Sequence, residues 1–275
     1  LLWNGGGSKA VQLAVFDKYE RLIAQYEMAG NRDAELLTRL ERLMYWQRNG
    51  WRYPQQLSDE QVLEQLQAWA KAYDGVDACA ALYVSWADFY HQKQDFVSEM
   101  KVIEEGIKRY PSSEFTADLK DKQRIVCMPS LSVQVTHPYP QTEAELRVTS
   151  KNLKGATLEW YRLNLKASSS VFAQNLEHAD LIKKYGTLVD KVRLDLPDTP
   201  TYKDTVSVLT SRMPEAGIYI LKSIPDGYQD KTGYDVVHLS ALQVVSFPME
   251  GRQTECHVVD CKTGKPVAGA ELVFY

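Results

Sequence analysis

The chain has 275 residues, 44% hydrophobic and 25% charged, with a formal net charge of −4, which fits about two soluble globular domains with ordinary cores and implies no disorder. Residues 1–128 carry 16 Lys and Arg against 19 Asp and Glu, and residues 129–275 carry 16 against 17, so neither half has the basic footprint of a nucleic-acid-binding protein. No apolar run of 18 residues marks a transmembrane helix, and Cys79, Cys127, Cys256 and Cys261 are too sparse for a disulfide framework and lack C-x-x-C spacing.

Residues 9 to about 127 have helical periodicity. Val11, Val15, Tyr19, Leu22 and Tyr26 recur every three or four positions, and Gly30-Asn31 follows as a C-terminal stop. A second helix is predicted from Arg32 to about Arg48, burying Leu36, Leu37, Leu40, Leu43 and Met44 and ending at Asn49-Gly50. A third starts at Ser58, with Gln61 placed to complete a capping box, and runs through Val62, Leu66 and Trp69 towards Gly75. Tyr83, Trp86, Ala87, Tyr90, Phe96, Ile103, Gly106 and Pro111 fall where a tetratricopeptide-type helix pair places large, small and helix-ending residues. Ala87 and Gly106 would let the helices approach; Glu99 stands where such a repeat has Ala. A last helix, capped near Ser112 or Ser113, is expected to carry Phe115, Leu119 and Ile125 to Cys127. The whole region reads as an α-hairpin array of about three pairs.

At Met128-Pro129 the period changes to two. Leu131, Val133 and Val135 alternate with polar residues, as do Leu146 and Val148, while Leu158 and Trp160 face opposite Tyr161, Leu163 and Leu165. Val192 to Leu196, Val206 and Val208, Ile218 and Ile220, and a run from Val236 through Val245 supply further strands. About seven short strands separated by turn residues predict an antiparallel β-sandwich, with a short helix within 172–186. A final hairpin is expected from Val258 and Val259 through the Thr263-Gly264-Lys265-Pro266 turn to Ala270, Leu272 and Phe274. Two strands alone leave their apolar face uncovered, so the piece reads as cut from a longer protein.

Several positions carry a family resemblance. Pro129-x-Leu131, Asn152-Leu153 and Trp160-Tyr161-Arg162-Leu163 are followed in order by Val192-Arg-Leu-Asp-Leu-Pro197, Tyr202-Lys-Asp and Pro214-Glu-Ala-Gly217-Ile-Tyr219-Ile. This progression resembles the first macroglobulin-type domain of bacterial α-2-macroglobulin-like proteins. Asp260-x-x-Thr263-Gly264-x-Pro266-Val267-x-Gly269-Ala270 resembles the opening hairpin of their second such domain, although carboxypeptidase-regulatory-like and bacterial Ig-like domains share that pattern. The resemblance covers 129–275; helices ahead of the first macroglobulin domain match Bacteroidetes-type members by architecture only. It implies a periplasmic or outer-membrane-associated envelope protein, with downstream macroglobulin domains, proteases or envelope proteins as partners. The family's Cys-x-Glu-Gln thioester is absent from these 275 residues.

The residues themselves offer little chemistry. Cys256, His257, Asp260 and Cys261 contain metal-ligand types, but strand alternation sets the two cysteines on opposite faces, so no metal is assigned. His91 with Asp88 and Glu99 contains acid–base groups without a nucleophile nearby in sequence, and a solvated or packed histidine is the expectation. Ser168-Ser169-Ser170 lacks the glycine-flanked elbow of a hydrolase and reads as a loop, and Gly5-Gly-Gly7 has neither the preceding strand nor the Lys of a phosphate loop and reads as a flexible terminal segment. Trp46, Trp51, Tyr53, Trp69, Tyr73, Tyr83, Trp86, Phe89 and Tyr90 are concentrated aromatics of a kind that serves both cores and recognition grooves; their helical spacing favours core packing.

Together these features predict an α+β multidomain chain. Its parts are a helical, tetratricopeptide-like array over 1–128, a macroglobulin-type β-sandwich over 129–248, and the start of a second such domain over 249–275. No catalytic, cofactor-binding or metal-binding residue is assigned, and the chain is not expected to be an enzyme. Its expected role is the scaffold and interaction region of a protease-trapping envelope protein. The alternative is an envelope binding module for a peptide, glycan or protein partner.

Overall fold

Helical spacing in the first half becomes six α-helices in the computed structural model, which describes residues 6–49, 57–164, 176–197 and 200–272. They are α1 (Gly6–Met28), α2 (Arg32–Asn49), α3 (Asp59–Ala72), α4 (Cys79–Gln92), α5 (Phe96–Arg109) and α6 (Thr116–Cys127). Residues 1–127 make one unit and 128–275 another.

The helix ends follow local chemistry. Gly30 adopts a left-handed φ of 67°, and the amides of Gly30 and Asn31 reach back to the carbonyls of Glu27 and Tyr26 at 3.1 and 2.9 Å, closing α1 as a Schellman motif. Asn31 then opens α2, its Oδ1 accepting from the Ala34 amide at 3.1 Å. Ser58 and Gln61 form the expected reciprocal capping box of α3.

The helices depart from expectation in four places. Leu22 is 39% exposed while Ile23 is buried, because α1 turns Phe16 and Tyr19 onto Tyr45 of α2, at 5.7 and 6.1 Å between ring centroids, and Ile23 continues that face. Ile125 is 49% exposed; α6 buries Leu119 and, two turns on, Val126. The Ser113 hydroxyl donates to the Asp77 carbonyl at 3.0 Å instead of capping α6. Gly6 and Gly7, expected in a flexible segment, lie in the first turn of α1, and Gly5 lies outside the described residues.

Gly106 of α5 is buried, and a Cβ built on it would lie 2.8 Å from Tyr83 Cβ of α4 and 2.8 Å from Leu119 Cδ1 of α6. A glycine here is what lets three helices meet. Ala87 of α4 is fully buried as well.

The second unit alternates as strands do. Its elements are β1 (Ser130–Thr136), β2 (Glu143–Lys151), β3 (Gly155–Leu163), α7 (His178–Tyr185), β4 (Gly186–Asp195), β5 (Thr205–Arg212), β6 (Gly217–Pro225), β7 (Gly233–Leu239), β8 (Leu242–Met249) and β9 (Gln253–Asp260). All pairings between these strands are antiparallel, giving sheets of order β1-β2-β5 and β4-β3-β6-β7 and a two-stranded β8-β9 ribbon. The first two sheets share one core. Val133, Leu146 and Val148 from one meet Leu158, Trp160, Tyr219 and Leu221 from the other. Trp160 and Tyr219 pack edge to face at 6.3 Å. The opposite face of β3 and β6 presents Leu163 and Ile220, and α7 covers them with Leu181.

Val206 and Val208 do form a strand, but they point outward on the edge strand β5 at 49% and 58% exposure. The run expected from Val236 through Val245 is two strands, since β7 ends at Leu239 and β8 pairs with β9. Residue 249, expected to open a third unit, is the last of β8. Past Asp260 the chain makes the turn with Gly264 at φ 67°, then a single bridge between Val259 and Pro266 replaces the expected return strand; Leu272 has no regular structure and Phe274 lies outside the described residues.

Candidate interaction groove

Three helices of the first unit frame a groove of about 380 Å³, within the size range of small-ligand sites. Residues three and four apart share a helix face, so α3 presents Gln67, Ala70 and Lys71 together. On α5 the same rule aligns Lys101, Glu105 and Arg109, with Val102 beside them. Tyr83 and Trp86 of α4 lie between, their rings 5.8 Å apart and tilted by 38°.

The aromatic residues therefore divide. Tyr73 and Tyr83 belong to the core, whereas Trp46, Trp69, Trp86, Phe89 and Tyr90 keep part of their surface in solvent. Trp51 and Tyr53 lie outside the described residues. Trp86 combines a share of the groove lining with a buried Nε1 that has no hydrogen-bond partner among the described groups.

The groove's charge is opposite to that of its surroundings. Residues 1–128 have more acidic than basic side chains, yet three cations and one carboxylate line the groove. Glu105 is engaged by Arg109 at 2.6 Å, and Arg109 also reaches Asp74 at 3.3 Å. Lys71 of α3 and Lys101 of α5 are both exposed. Sequence reasoning missed these cations; the readable sign was the four-residue spacing of Lys101, Glu105 and Arg109.

The acid–base group suggested by His91, Asp88 and Glu99 divides too. His91 Nδ1 lies 3.1 and 3.0 Å from the two carboxylate oxygens of Glu99, and its ring packs against Phe96 at 5.4 Å. Asp88 instead pairs with Lys122. Glu99 is only 1% exposed. Burial pushes its carboxyl above the ordinary value, and His91 offsets that only in part. Glu35 and Glu159 are buried carboxylates of the opposite kind. Burial raises each, but hydrogen bonds from Tyr73 and Arg39 to Glu35, and from Lys191, Tyr161 and Lys222 to Glu159, outweigh it and hold both below the usual range. Glu99 thus differs because its direct partner is an imidazole. A perturbed carboxylate can mark catalysis, but the described hydrogen bonds of the His91 ring go to Glu99 and none goes to a hydroxyl or thiol.

Cys256, His257, Asp260 and Cys261 do not converge. Cys256 lies opposite Ser246 and His257 opposite Val245 on alternate faces of the ribbon, and His257 Nε2 lies 2.9 Å from Glu255. Asp260 organises the turn, accepting from the amides of Lys262 and Thr263 at 3.1 and 2.7 Å and from the Thr263 hydroxyl at 2.8 Å. Those bonds, led by Thr263, hold its carboxyl below the usual range. Cys79, Cys256 and Cys261 form no disulfide, and no cluster of three or more His, Cys, Asp or Glu suited to a metal ion occurs among the described residues. Ser168, Ser169 and Ser170 lie outside them.

The positions that carry the family resemblance have structural work in the sandwich. Asn152 takes a left-handed φ of 53° between β2 and β3, and Leu153 beside it is buried. A Cβ on Gly217 would meet the Tyr219 ring at 3.3 Å, and the Tyr219 hydroxyl donates to the Glu215 carbonyl at 2.8 Å.

No protein-family profile matches the sequence, and no curated protein matches it. Among solved structures, native alpha-2-macroglobulin from Escherichia coli spanning domains MG0-NIE-MG1 is similar over 50% of this chain and 47% of that one, at 16% identity and a TM-score of 0.39. The chain thus spans about half of that fragment's length. A second fragment of the same protein, spanning NIE-MG1, is similar over 51% and 74%, at 14% identity and a TM-score of 0.37. The CARDB domain of a Pyrococcus furiosus protein in complex with di-metal ions gives 14% identity over 48% and 90%, with a TM-score of 0.21. No helix among the described residues is long and apolar enough to cross a membrane.

Proposed function

We propose that the chain is a non-catalytic scaffold and interaction region of a bacterial α-2-macroglobulin-like envelope protein, with a tetratricopeptide-like helical unit ahead of a macroglobulin-type sandwich. The observation that carries the reading is the order of the motif positions along the sandwich. Asn152-Leu153 makes the β2–β3 turn, Trp160 of β3 and Leu194 of β4 enter the core, and the Gly217-x-Tyr219 pair opens β6. Each demands a particular side chain for a physical reason, so their joint occurrence in this order is a fold signature and says nothing of chemistry. In this role the protein sits in the periplasm or at the outer membrane, and its partners are further macroglobulin domains, proteases or envelope proteins.

The groove on α3, α4 and α5 favours a second reading, a binding module without protease trapping. Incubating the native protein with proteases of several classes separates the two. Covalent adducts on denaturing gels, with the captured protease shielded from large but not small substrates, support trapping; binding with neither effect supports the module. Residues 1–275 alone are expected to give no adduct and no shielding, and an adduct would overturn the scaffold assignment.

A further inference from the structure

We propose that the groove between α3 and α5 binds a peptide segment in which an aromatic or long apolar side chain lies next to a carboxylate. The proposal rests on the interaction role assigned above and names its ligand. The floor supplies apolar contact from Ala70, Val102 and the Trp86 ring, and the walls supply Lys71 on one side and Lys101 on the other. Glu105 pairs with Arg109 at 2.6 Å, and with Lys71, Lys101 and Arg109 against this one carboxylate the lining keeps a net positive charge. Two ammonium groups without an ion pair among the described residues therefore flank an apolar floor, in a unit whose acidic residues outnumber its basic ones. A local reversal of sign of this kind selects an anion and steers its approach.

The two lysines stand on separate helices and act as point charges, which a carboxylate and a phosphate meet alike; the apolar lining from Ala70, Trp86 and Val102 favours a carboxylate carried beside a large apolar side chain. An apolar side chain with a neighbouring carboxylate uses both features, burying its hydrocarbon on Trp86 and Val102 and placing its charge between the lysines. About 380 Å³ accommodates one large side chain and adjoining backbone.

The test uses fluorescence anisotropy with the whole chain and a labelled peptide of sequence Gly-Ser-Glu-Phe-Glu-Ser-Gly, alongside the same peptide with Gln or Lys in place of both Glu. Binding of the Glu peptide, at least tenfold weaker binding of the Gln peptide, and no binding of the Lys peptide are expected. The Lys71→Ala, Lys101→Ala double variant, whose changes are at exposed positions, should lose at least tenfold. Lys108→Ala, also on α5 but outside the groove, should bind as the parent does, and free sodium phosphate should not compete at equal ionic strength. Equal affinity for the Glu and Gln peptides overturns the carboxylate assignment while leaving an interaction surface. So does an equal loss in Lys108→Ala, which would mark diffuse attraction, and so does competition by phosphate. Failure of all three peptides to bind at millimolar concentration overturns the groove as a peptide site and leaves the scaffold role to the protease incubation.

Discussion

Single side chains decide where this fold has no slack. At Gly106 a methyl group would sit 2.8 Å from Tyr83 Cβ and from Leu119 Cδ1. Tyr83 Cβ is fixed to the α4 backbone, so it cannot swing aside as a side-chain tip would. Gly106→Ala should therefore cost about 1–3 kcal/mol by overpacking, although alanine is the better helix former by about 1 kcal/mol; a urea midpoint that stays or rises would remove the close helix contact. The buried carboxylates give a pair of predictions with opposite signs. The folded state holds the Glu99 proton more tightly than the unfolded state, whose ordinary value is near 4.5. As pH rises from there through the raised folded value, the unfolded chain deprotonates first and stability falls. Glu99→Gln keeps an acceptor for His91 and abolishes the buried charge, so it should flatten that fall and gain about 1 kcal/mol at pH 7. Glu159 is the converse. Its folded value is depressed by Lys191, Tyr161 and Lys222 against the effect of burial, so its contribution is present above the unfolded value and is lost as pH falls through the folded one. Glu159→Gln should cost about 1–2 kcal/mol at pH 7, limited because Lys191 is solvent-exposed, and much less in acid. Denaturation at several pH values checks both signs.

At the scale of elements, what could be read from sequence was whatever is governed by neighbours in the chain. The Ser58–Gln61 box and the Gly30 stop depend on groups within a few residues, and each formed as spaced, whereas the turn expected over Thr263-Gly264-Lys265-Pro266 is organised earlier, by Asp260 accepting from Lys262 and Thr263. Faces set by distant partners were less legible. Leu22 and Ile23 differ by one position in α1, and only the aromatic residues of α2 determine which is buried. Val206 and Val208 alternate correctly, but nothing local says that β5 is an edge strand with its valines outward. The cations of the groove come from α3 and α5 and become one site only through packing on α4. The short helix α7 was readable as a break in alternation, and its anchor was not. Leu181 is buried against Leu163 and Ile220 on the outer face of the four-stranded sheet. Leu181→Ala should cost about 2–4 kcal/mol, the range for a leucine truncated in a packed site. Leu188→Ala on the edge strand β4, where the side chain is 47% exposed, should stay within about 1 kcal/mol. Equal effects of the two substitutions would mean that α7 is not held by this contact.

For the whole molecule, the position of the cores predicts what can be cut away. The buried helical residues run from Ile23 to Val126, and the two apolar clusters of the second unit begin at Leu131 and end at Leu239. Each unit thus has its own core, the physical requirement for folding alone. The β8-β9 ribbon contributes no residue to either cluster, and it leaves Leu242, Val244, Phe247 and Met249 about half exposed. The Tyr139 hydroxyl links the sandwich to the ribbon by donating to Asp260 at 3.4 Å. Two strands without a covered face are marginal in water, so the ribbon should be the least protected part of residues 128–275 in hydrogen exchange. Three pieces test this: residues 1–127, residues 128–275, and residues 128–240, which end just before the ribbon. All three should unfold cooperatively in urea, and the shortest should keep a thermal midpoint within a few degrees of residues 128–275, since a shift of that size corresponds to about 1 kcal/mol in a domain of this length. A non-cooperative 1–127 would show that the helices lack a self-sufficient core, and a 128–240 piece that fails to fold would show that the ribbon completes the sandwich.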